Sequence, residues 1–216
     1  MAAQITSPNR DDMKRLNKCL ALQQNSIALK FVELELQTVR LVAFTDSSFA
    51  NNQDCSSQIG FVIILLDHKN RANIVYWQSV KCRRVTRSVL ATELYALSLG
   101  FDAAASIKVT LDQILSVPRN NKKIPLTLCV DSQSLYDCLV KLGTTQEKRL
   151  MIDIMCLRQS YERREISEIV WIQGDNNPAD AMTKYKPCDA LQKLVETNCF
   201  ELNVDGWVER GNNVDV

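Results

Sequence analysis

Histidine is almost missing from this chain of 216 residues, because His68 is the only one. Ser88, Thr92 and Thr183 therefore lack the histidine partner that would activate a hydroxyl nucleophile. The eight cysteines contain no CxxC pair and no adjacent histidine, so the ligand spacing of common zinc sites is absent. These gaps argue against serine-type hydrolysis and against a zinc centre.

Net charge is also missing, since 26 basic and 25 acidic residues leave a formal charge of +1. A nucleic acid or membrane partner would have to be met by a local patch of charge. The first 18 residues contain no apolar signal segment and no stretch long enough to cross a bilayer. We therefore expect an intracellular, cytoplasmic protein that is not secreted and contacts no membrane. Its thiols are expected to be reduced and mostly buried, with a secreted disulfide framework as the alternative.

The apolar residues that the chain does contain, 46% of the total, predict a compact core. Five segments have the pattern of strands: residues 39–46, 58–66, 74–80, 124–131 and 168–172. The first three form a meander, and helical patterns separate the later ones. We predict an α/β fold with a five-stranded mixed sheet, in which three antiparallel strands are followed by two strands added through helical crossovers. Trp77 and Trp171 lie on strands and are expected in the core.

The predicted domain spans residues 39–184. An N-terminal helical arm, residues 1–38, precedes it, and a C-terminal extension, residues 185–216, follows it with one more helical pattern. Within the arm, the alternating sequence VELEL at residues 32–36 predicts a further short strand.

Four acidic residues stand where predicted strands end or predicted helices begin. Asp46 follows LVAFT, Asp131 follows LTLCV, and Asp180 opens the last helix of the domain. Glu93 lies one turn into the helix after the third strand, on the side of its apolar residues, where a lone glutamate would be costly to bury. Taken singly, each acid also suits a loop, a helix cap or a solvated helix face.

Together the four acids indicate a metal site. Neighbouring ends of the first and fourth strands would bring their carboxylates into one cleft, where without cations they would repel each other. Oxygen ligands of this kind suit two Mg²⁺ or Mn²⁺ ions. Two ions about 3.5–4 Å apart can activate a water and stabilise the leaving 3′ oxygen at phosphorus.

The segments FTDSSFANN, RSVLATELYAL, LCVDSQSLYDCL and NNPADAMTK resemble the ribonuclease H domain of copia-type LTR retrotransposon polyproteins, with wording closest to fungal elements. The resemblance covers residues 39–184, and the preceding segment resembles the connection to reverse transcriptase. It implies a ribonuclease H fold and Mg²⁺-dependent cleavage of the RNA strand in RNA–DNA hybrids during reverse transcription. It assigns the catalytic and metal-binding roles to Asp46, Glu93, Asp131 and Asp180. The reverse transcriptase portion of the same polyprotein becomes an expected partner, and virus-like particles an expected location.

One departure from related enzymes concerns the loop before the last aspartate. Cellular and retroviral relatives have a histidine there, whereas this loop reads QGDNNPAD and has Asp175 at about that position. Asp175 is a candidate auxiliary residue for metal or product release, and a plain turn residue is the alternative.

Small polar and basic residues near the acids are candidates for substrate contacts. Recognition of RNA requires reading 2′-hydroxyls across a shallow minor groove, and basic side chains bind the phosphates. The candidate residues are Ser47, Ser48, Asn51, Asn52, Gln78, Ser79, Lys81, Arg83, Arg84 and Arg87. Turn chemistry and a solvated basic loop are the competing interpretations.

Two other functions fit parts of the pattern. A catalytically inactive, domesticated module could retain the fold as a nucleic-acid-binding scaffold, although an intact acid set argues against decay. An integrase-type enzyme shares the fold, but its glutamate is the last acid of the set. Here Glu93 comes between the first two aspartates.

Overall fold

The structure, a computed structural model, describes residues 9–23, 28–141, 143–145 and 147–208. Its strands are β1 (Arg40–Ser48), β2 (Gln58–Leu66), β3 (Ala72–Lys81), β4 (Leu126–Val130) and β5 (Glu168–Trp171). Its helices are α1 (Arg10–Gln23), α2 (Val89–Ile114), α3 (Gln133–Val140), α4 (Met151–Glu162), α5 (Asp180–Thr183) and α6 (Asp189–Thr197). The parts of the predicted arm and extension at 1–8, 24–27 and 209–216 lie outside the described residues.

The strands form one mixed sheet in the order β3-β2-β1-β4-β5. The pairs β1–β2 and β2–β3 are antiparallel, whereas β1–β4 and β4–β5 are parallel. The predicted five-stranded mixed sheet is therefore confirmed. Because β1 and β4 run in the same direction side by side, their carboxyl ends open at the same edge of the sheet.

Helix α2 is the main element on one face of the sheet. Ser88 caps it by accepting a hydrogen bond from the Ala91 backbone N–H. Its buried residues, including Leu94 and Leu97, pack on inward-facing residues of β1, β2 and β4. Helices α3 and α4 complete this layer, which packs around one large apolar cluster.

The opposite face of the sheet is covered by α5, α6 and the segment that follows them. Phe200 packs edge-on against Phe44 of β1, with ring centroids 4.9 Å apart, and Leu194 of α6 joins the same cluster. The chain then crosses to the far edge of the sheet, where the Trp171 backbone N–H donates to Gly206 O at 2.9 Å. Residues 189–206 are thus packed on the sheet.

Helix α2 is also long and apolar enough to cross a membrane by length and composition, alone among the described helices. Eight of its residues are buried, and its contacts are with the sheet, α3 and α4. A core helix in this position needs the same apolar composition, so packing accounts for it.

Three expectations from the sequence are wrong. Residues 32–36 form no strand. The Val32 backbone N–H and C=O form hydrogen bonds with the Asn73 side chain, and the Glu35 backbone N–H donates to the Asp67 carboxylate. These backbone groups are thus bound by side chains and not by a neighbouring strand. Trp77 is half exposed because β3 is an edge strand. The thiols are not mostly buried, since the three buried cysteines are Cys82, Cys129 and Cys138.

Candidate active site

Asp46 and Asp131 come from the parallel pair of strands. Asp46 lies near the end of β1, and Asp131 directly follows β4. The buried residues before them hold both strand ends in the sheet. The Trp171 indole N–H donates to the Asp131 backbone carbonyl at 3.1 Å and ties this end of β4 to β5.

Glu93 reaches the same place from α2. The helix can approach β1 closely because it has Gly100 at the crossing point, where a Cβ would lie 2.7 Å from the Thr45 methyl carbon. The Ser47 hydroxyl donates a hydrogen bond to Glu93 Oε1 at 2.7 Å. This bond fixes the orientation of a carboxylate whose side chain is only 8% exposed.

The side chains of Asp46, Glu93 and Asp131 converge. Each offers one carboxylate oxygen, and these three oxygens lie within 4.8 Å of one another. Asp46 and Glu93 are buried, at 1% and 8% exposure, and Asp131 is half-buried. We refer to Asp46, Glu93 and Asp131 as the acid triplet.

Burial and mutual repulsion disfavour three negative charges in the acid triplet. Burial, followed by repulsion from Asp131, raises the pKa of Glu93 to about 8 against the hydrogen bond from Ser47. Burial also raises the pKa of Asp46 to about 6, and it raises the pKa of Asp131. A bound cation would offset both causes, so the electrostatics of the site favour one.

Asp180 lies beside the acid triplet and outside its 4.8 Å group. It is buried at the start of α5, and the Lys184 ammonium lies 2.5 Å from its Oδ1. The same ammonium lies 3.3 Å from Asp46 Oδ1, and the Thr183 hydroxyl donates to Asp46 Oδ2. Helix α5, together with Lys184 directly after it, therefore supplies one further acid and two side chains that bind Asp46.

Gly60 of β2 allows α5 to pack this closely. Gly60 is paired with Asp46 across the β1–β2 ladder. A Cβ at this position would overlap the Cβ of Met182 and lie 3.1 Å from the Thr183 methyl carbon. A side chain here would push α5, and with it Thr183 and Lys184, away from Asp46.

Asn177 is a site residue that the sequence reasoning missed. It is fully buried, donates from Nδ2 to Thr45 O at 2.9 Å, and accepts from the Ala179 backbone N–H. Its hydrogen bond with Asp131 opposes the rise in the pKa of that carboxyl. Asn177, Thr183 and Lys184 all belong to the segment NNPADAMTK. The resemblance of that segment to ribonuclease H domains was the feature of the sequence that could have identified them as site residues.

The donor set fits a hard divalent cation. The acid triplet presents three carboxylate oxygens and no sulfur or imidazole ligand, which suits Mg²⁺ or Mn²⁺. Asp46, Glu93 and Asp131 could hold one ion. Asp46 and Asp180 could hold a second only in the space that the Lys184 ammonium now fills.

The predicted polar substrate contacts are spread around this edge of the sheet. The Ser47 hydroxyl donates to Glu93, and the Ser79 hydroxyl of β3 donates to Met182 O, so both already have hydrogen-bond partners within the protein. Asn52 donates to Ser56 within its own turn. Three further candidates are surface or half-buried positions: Ser48, Asn51 and Gln78.

The basic connector between β3 and α2 is partly neutralised. Lys81 forms an ion pair with Asp54. Arg84 stacks on the Tyr95 ring, 4.8 Å from its centroid, and its Nη1 is 3.4 Å from Asp153. The remaining candidates, Arg83 and Arg87, are exposed.

Asp175 lies in a short 3-10 turn, Gly174–Asn176, at the rim of the site. It is exposed. Its neighbour Gly174 faces the Asp131 carboxylate, because a Cβ there would lie 3.6 Å from Oδ2. The turn therefore borders the acid triplet, while the Asp175 side chain itself is at the surface.

No family model and no curated protein matches the chain. Among solved structures it is similar to the RNase H1 of the halophilic archaeon Halobacterium salinarum NRC-1, at 20% identity and a TM-score of 0.49, covering 71% of this chain and 98% of that one. It is similar to LC11-RNase H1, solved in complex with an RNA/DNA hybrid, at 17% identity and a TM-score of 0.50, covering 70% and 99%. It is also similar to the foamy virus (PFV) RNase H domain, at 13% identity and a TM-score of 0.38, covering 75% and 93%. Taken with the strand order, the likeness to LC11-RNase H1 shows that the chain has a ribonuclease H-like fold.

Proposed function

We propose that this chain is a metal-dependent endoribonuclease that hydrolyses the RNA strand of RNA–DNA hybrids. The observation that carries the proposal is the acid triplet, whose three oxygens meet within 4.8 Å at the carboxyl ends of β1 and β4, with Asp180 beside it. A cluster of carboxylates at this edge of the sheet can hold divalent ions, and such ions catalyse displacement reactions at phosphorus. Of the reactions that these side chains could support, phosphodiester hydrolysis fits them best.

Two bound divalent ions would supply an activated water and a counter-charge for the leaving 3′ oxygen. Asp46, Glu93 and Asp131 would hold the first ion, and Asp46 with Asp180 the second. Ser47 keeps Glu93 turned inward, and Thr183 holds the second oxygen of Asp46. Asn177 fixes the loop that leads to Asp180 by binding Thr45 O.

We propose that the polar residues at the same edge contact the hybrid. Ser48, Asn51 and Gln78 lie at the surface or half-buried and could donate to 2′-hydroxyls of the RNA strand. Arg83 and Arg87 are exposed basic side chains for its phosphates. Lys81 and Arg84 would have to leave Asp54 and Asp153 before binding the same groups. Asp175, at the rim, is proposed as an auxiliary residue.

We further propose that the chain acts during reverse transcription in a copia-type retrotransposon. The proposal rests on the four sequence segments that resemble this family. The partner would be the reverse transcriptase portion of the same polyprotein, connected through the segment before residue 39. The place of action would be the cytoplasm, within virus-like particles.

The test is cleavage of an end-labelled RNA–DNA hybrid by the purified chain. Wild type is expected to cut the RNA strand with Mg²⁺ and to stop with EDTA. Asp131→Asn removes one charge from the acid triplet and is expected to abolish cleavage, because a neutral amide holds a divalent ion poorly. The exposed Asp205→Asn is the matched control and is expected to cut as wild type does.

Two results would count against the proposed metal-dependent ribonuclease activity. Cleavage that survives EDTA or Asp131→Asn would contradict the role of the metal. Hybrid binding without cleavage by wild type would favour the domesticated scaffold instead.

A further inference from the structure

Lys184 lies inside the acid site. Its Nζ is 2.5 Å from Asp180 Oδ1 and 3.3 Å from Asp46 Oδ1. The side chains of these two acids are only 8% and 2% exposed, while a third of the Lys184 side chain is exposed. The ammonium is therefore a bridge between two buried carboxylates.

Glu93 and Asp131, unlike Asp46 and Asp180, form no ion pair among the described residues. Among the described residues, the ion pairs made with the four acids come from Lys184 and Lys186, and they go to Asp46 or Asp180. The charge of Lys184 acts on Glu93 and Asp131 only without direct contact. The acid triplet therefore offers a cation position at which, among the described residues, neither Glu93 nor Asp131 forms an ion pair. The position between Asp46 and Asp180 already holds the Lys184 ammonium.

A divalent ion and the ammonium cannot share the space between Asp46 and Asp180. Mg²⁺ binds carboxylate oxygens at about 2.0–2.1 Å, which would place it among the same two oxygens. Two cations in contact repel, and burial strengthens the repulsion. One of the two cations must therefore leave before the other binds.

Lys184 has a route out. It lies at the C-terminal end of the four-residue helix α5, and its flexible stem is already partly in solvent. Movement of the side chain alone would free both carboxylates and leave α5 in place.

We propose that Lys184 is a built-in cation of this site and makes metal binding sequential. Without nucleic acid, the chain binds one divalent ion at the acid triplet. A second ion enters between Asp46 and Asp180 only when Lys184 moves out. Lys184 is thus a positioning residue that holds Asp180 against Asp46 until then. The inference rests on the proposed function of the acids as a metal site.

The test counts Mn²⁺ ions bound per chain, without nucleic acid, by electron paramagnetic resonance of the free ion. Wild type is expected to bind one ion. Lys184→Met, or Lys184→Gln as a second neutral variant, is expected to bind two, with the second ion held at least about tenfold more tightly than by wild type. Lys184→Arg keeps the charge and is expected to bind one. Lys186→Met, which removes the exposed neighbour, should also bind one.

The outcomes separate this inference from the proposed function. Two ions bound by wild type with equal affinity would overturn the inference, whether or not the variants fold, and would leave the metal site intact. Neutral variants that bind one ion, as wild type does, would also overturn it. No ion bound by wild type would overturn the metal site itself. Failure of wild type to cut the hybrid would count against the proposed function and not against this inference.

Discussion

The carboxylates of the acid triplet are individually unfavourable where they lie. Asp46 and Glu93 are buried, and the pKa of each is raised by that burial. Their neighbours limit the cost, since Ser47 donates to Glu93 and Thr183 donates to Asp46. Buried acids of this kind are expected where a ligand compensates them.

The raised pKa of Glu93 predicts how stability depends on pH in the absence of metal. Between its ordinary value of 4.5 and about 8, the folded protein holds a proton that the unfolded chain has lost. Stability in EDTA should therefore fall as the pH rises through this window. Glu93→Gln should lose less stability between pH 5 and pH 8 than wild type, as measured by urea unfolding. The exposed Glu162→Gln is the control, and equal losses in wild type and Glu93→Gln would contradict the prediction.

A second prediction at this scale concerns Ser47. Its hydroxyl orients a carboxylate that would bind metal, and loss of such an orienting partner costs about 10–100-fold in metal affinity or activity. Ser47→Ala should lose Mn²⁺ affinity and hybrid cleavage by this factor while remaining folded. The control is Ser106→Ala, an exposed serine of the same helix as Glu93, whose hydroxyl donates to Asp102 O. Unchanged Mn²⁺ affinity in Ser47→Ala would refute the orienting role.

At the scale of elements, the site depends on two helices that approach the sheet from opposite faces. Gly100 lets α2 approach Thr45 of β1, and Gly60 lets α5 approach β2. Each glycine therefore controls how close one set of side chains comes to Asp46.

Gly60→Ala should displace α5. Its Cβ would overlap Met182, and overpacking of this kind costs about 1–3 kcal/mol. We expect a lower urea midpoint and a loss of hybrid cleavage together. Gly174→Ala serves as the control for the urea midpoint alone, because its Cβ would have its nearest contact, Asp131 Oδ2, at 3.6 Å and fits without strain. Equal midpoints for wild type and Gly60→Ala would show that α5 tolerates the side chain.

The order of the strands and helices could be predicted from the sequence, but the exposure of individual side chains and the contacts between distant segments could not. Apolar runs and turn residues define the strands, and strand crossovers imply that β1 and β4 are parallel neighbours, which brings Asp46 and Asp131 together. The exposure of Trp77 follows from the edge position of β3, which its own apolar sequence does not indicate. The contact of Lys184 with Asp46 joins residues 138 positions apart and depends on how α5 docks.

At the scale of the whole molecule, the segment after the acid site completes the core. Phe200 and Leu194 fill the face of the sheet opposite α2, and Phe200 is only 8% exposed. The sheet would expose Phe44 and its neighbours without them.

Phe200→Ala should therefore destabilise the whole domain. Truncation of a buried phenylalanine costs about 3 kcal/mol, since its contacts with the Phe44 ring are lost and a cavity remains. Urea unfolding should show one shifted transition. Val204→Ala, at a position that is 40% exposed, should stay within about 0.5 kcal/mol of wild type. A separate early transition in Phe200→Ala would mean that the segment unfolds independently.

The hydrogen bond from the Trp171 indole to the backbone of Asp131 gives the protein an intrinsic fluorescent reporter. Trp77 and Trp207 are both 51% exposed, so their replacement by phenylalanine would leave Trp171 as the single emitter. Its emission would then report the binding of the ion at the acid triplet in real time, without a label and without any nucleic acid present.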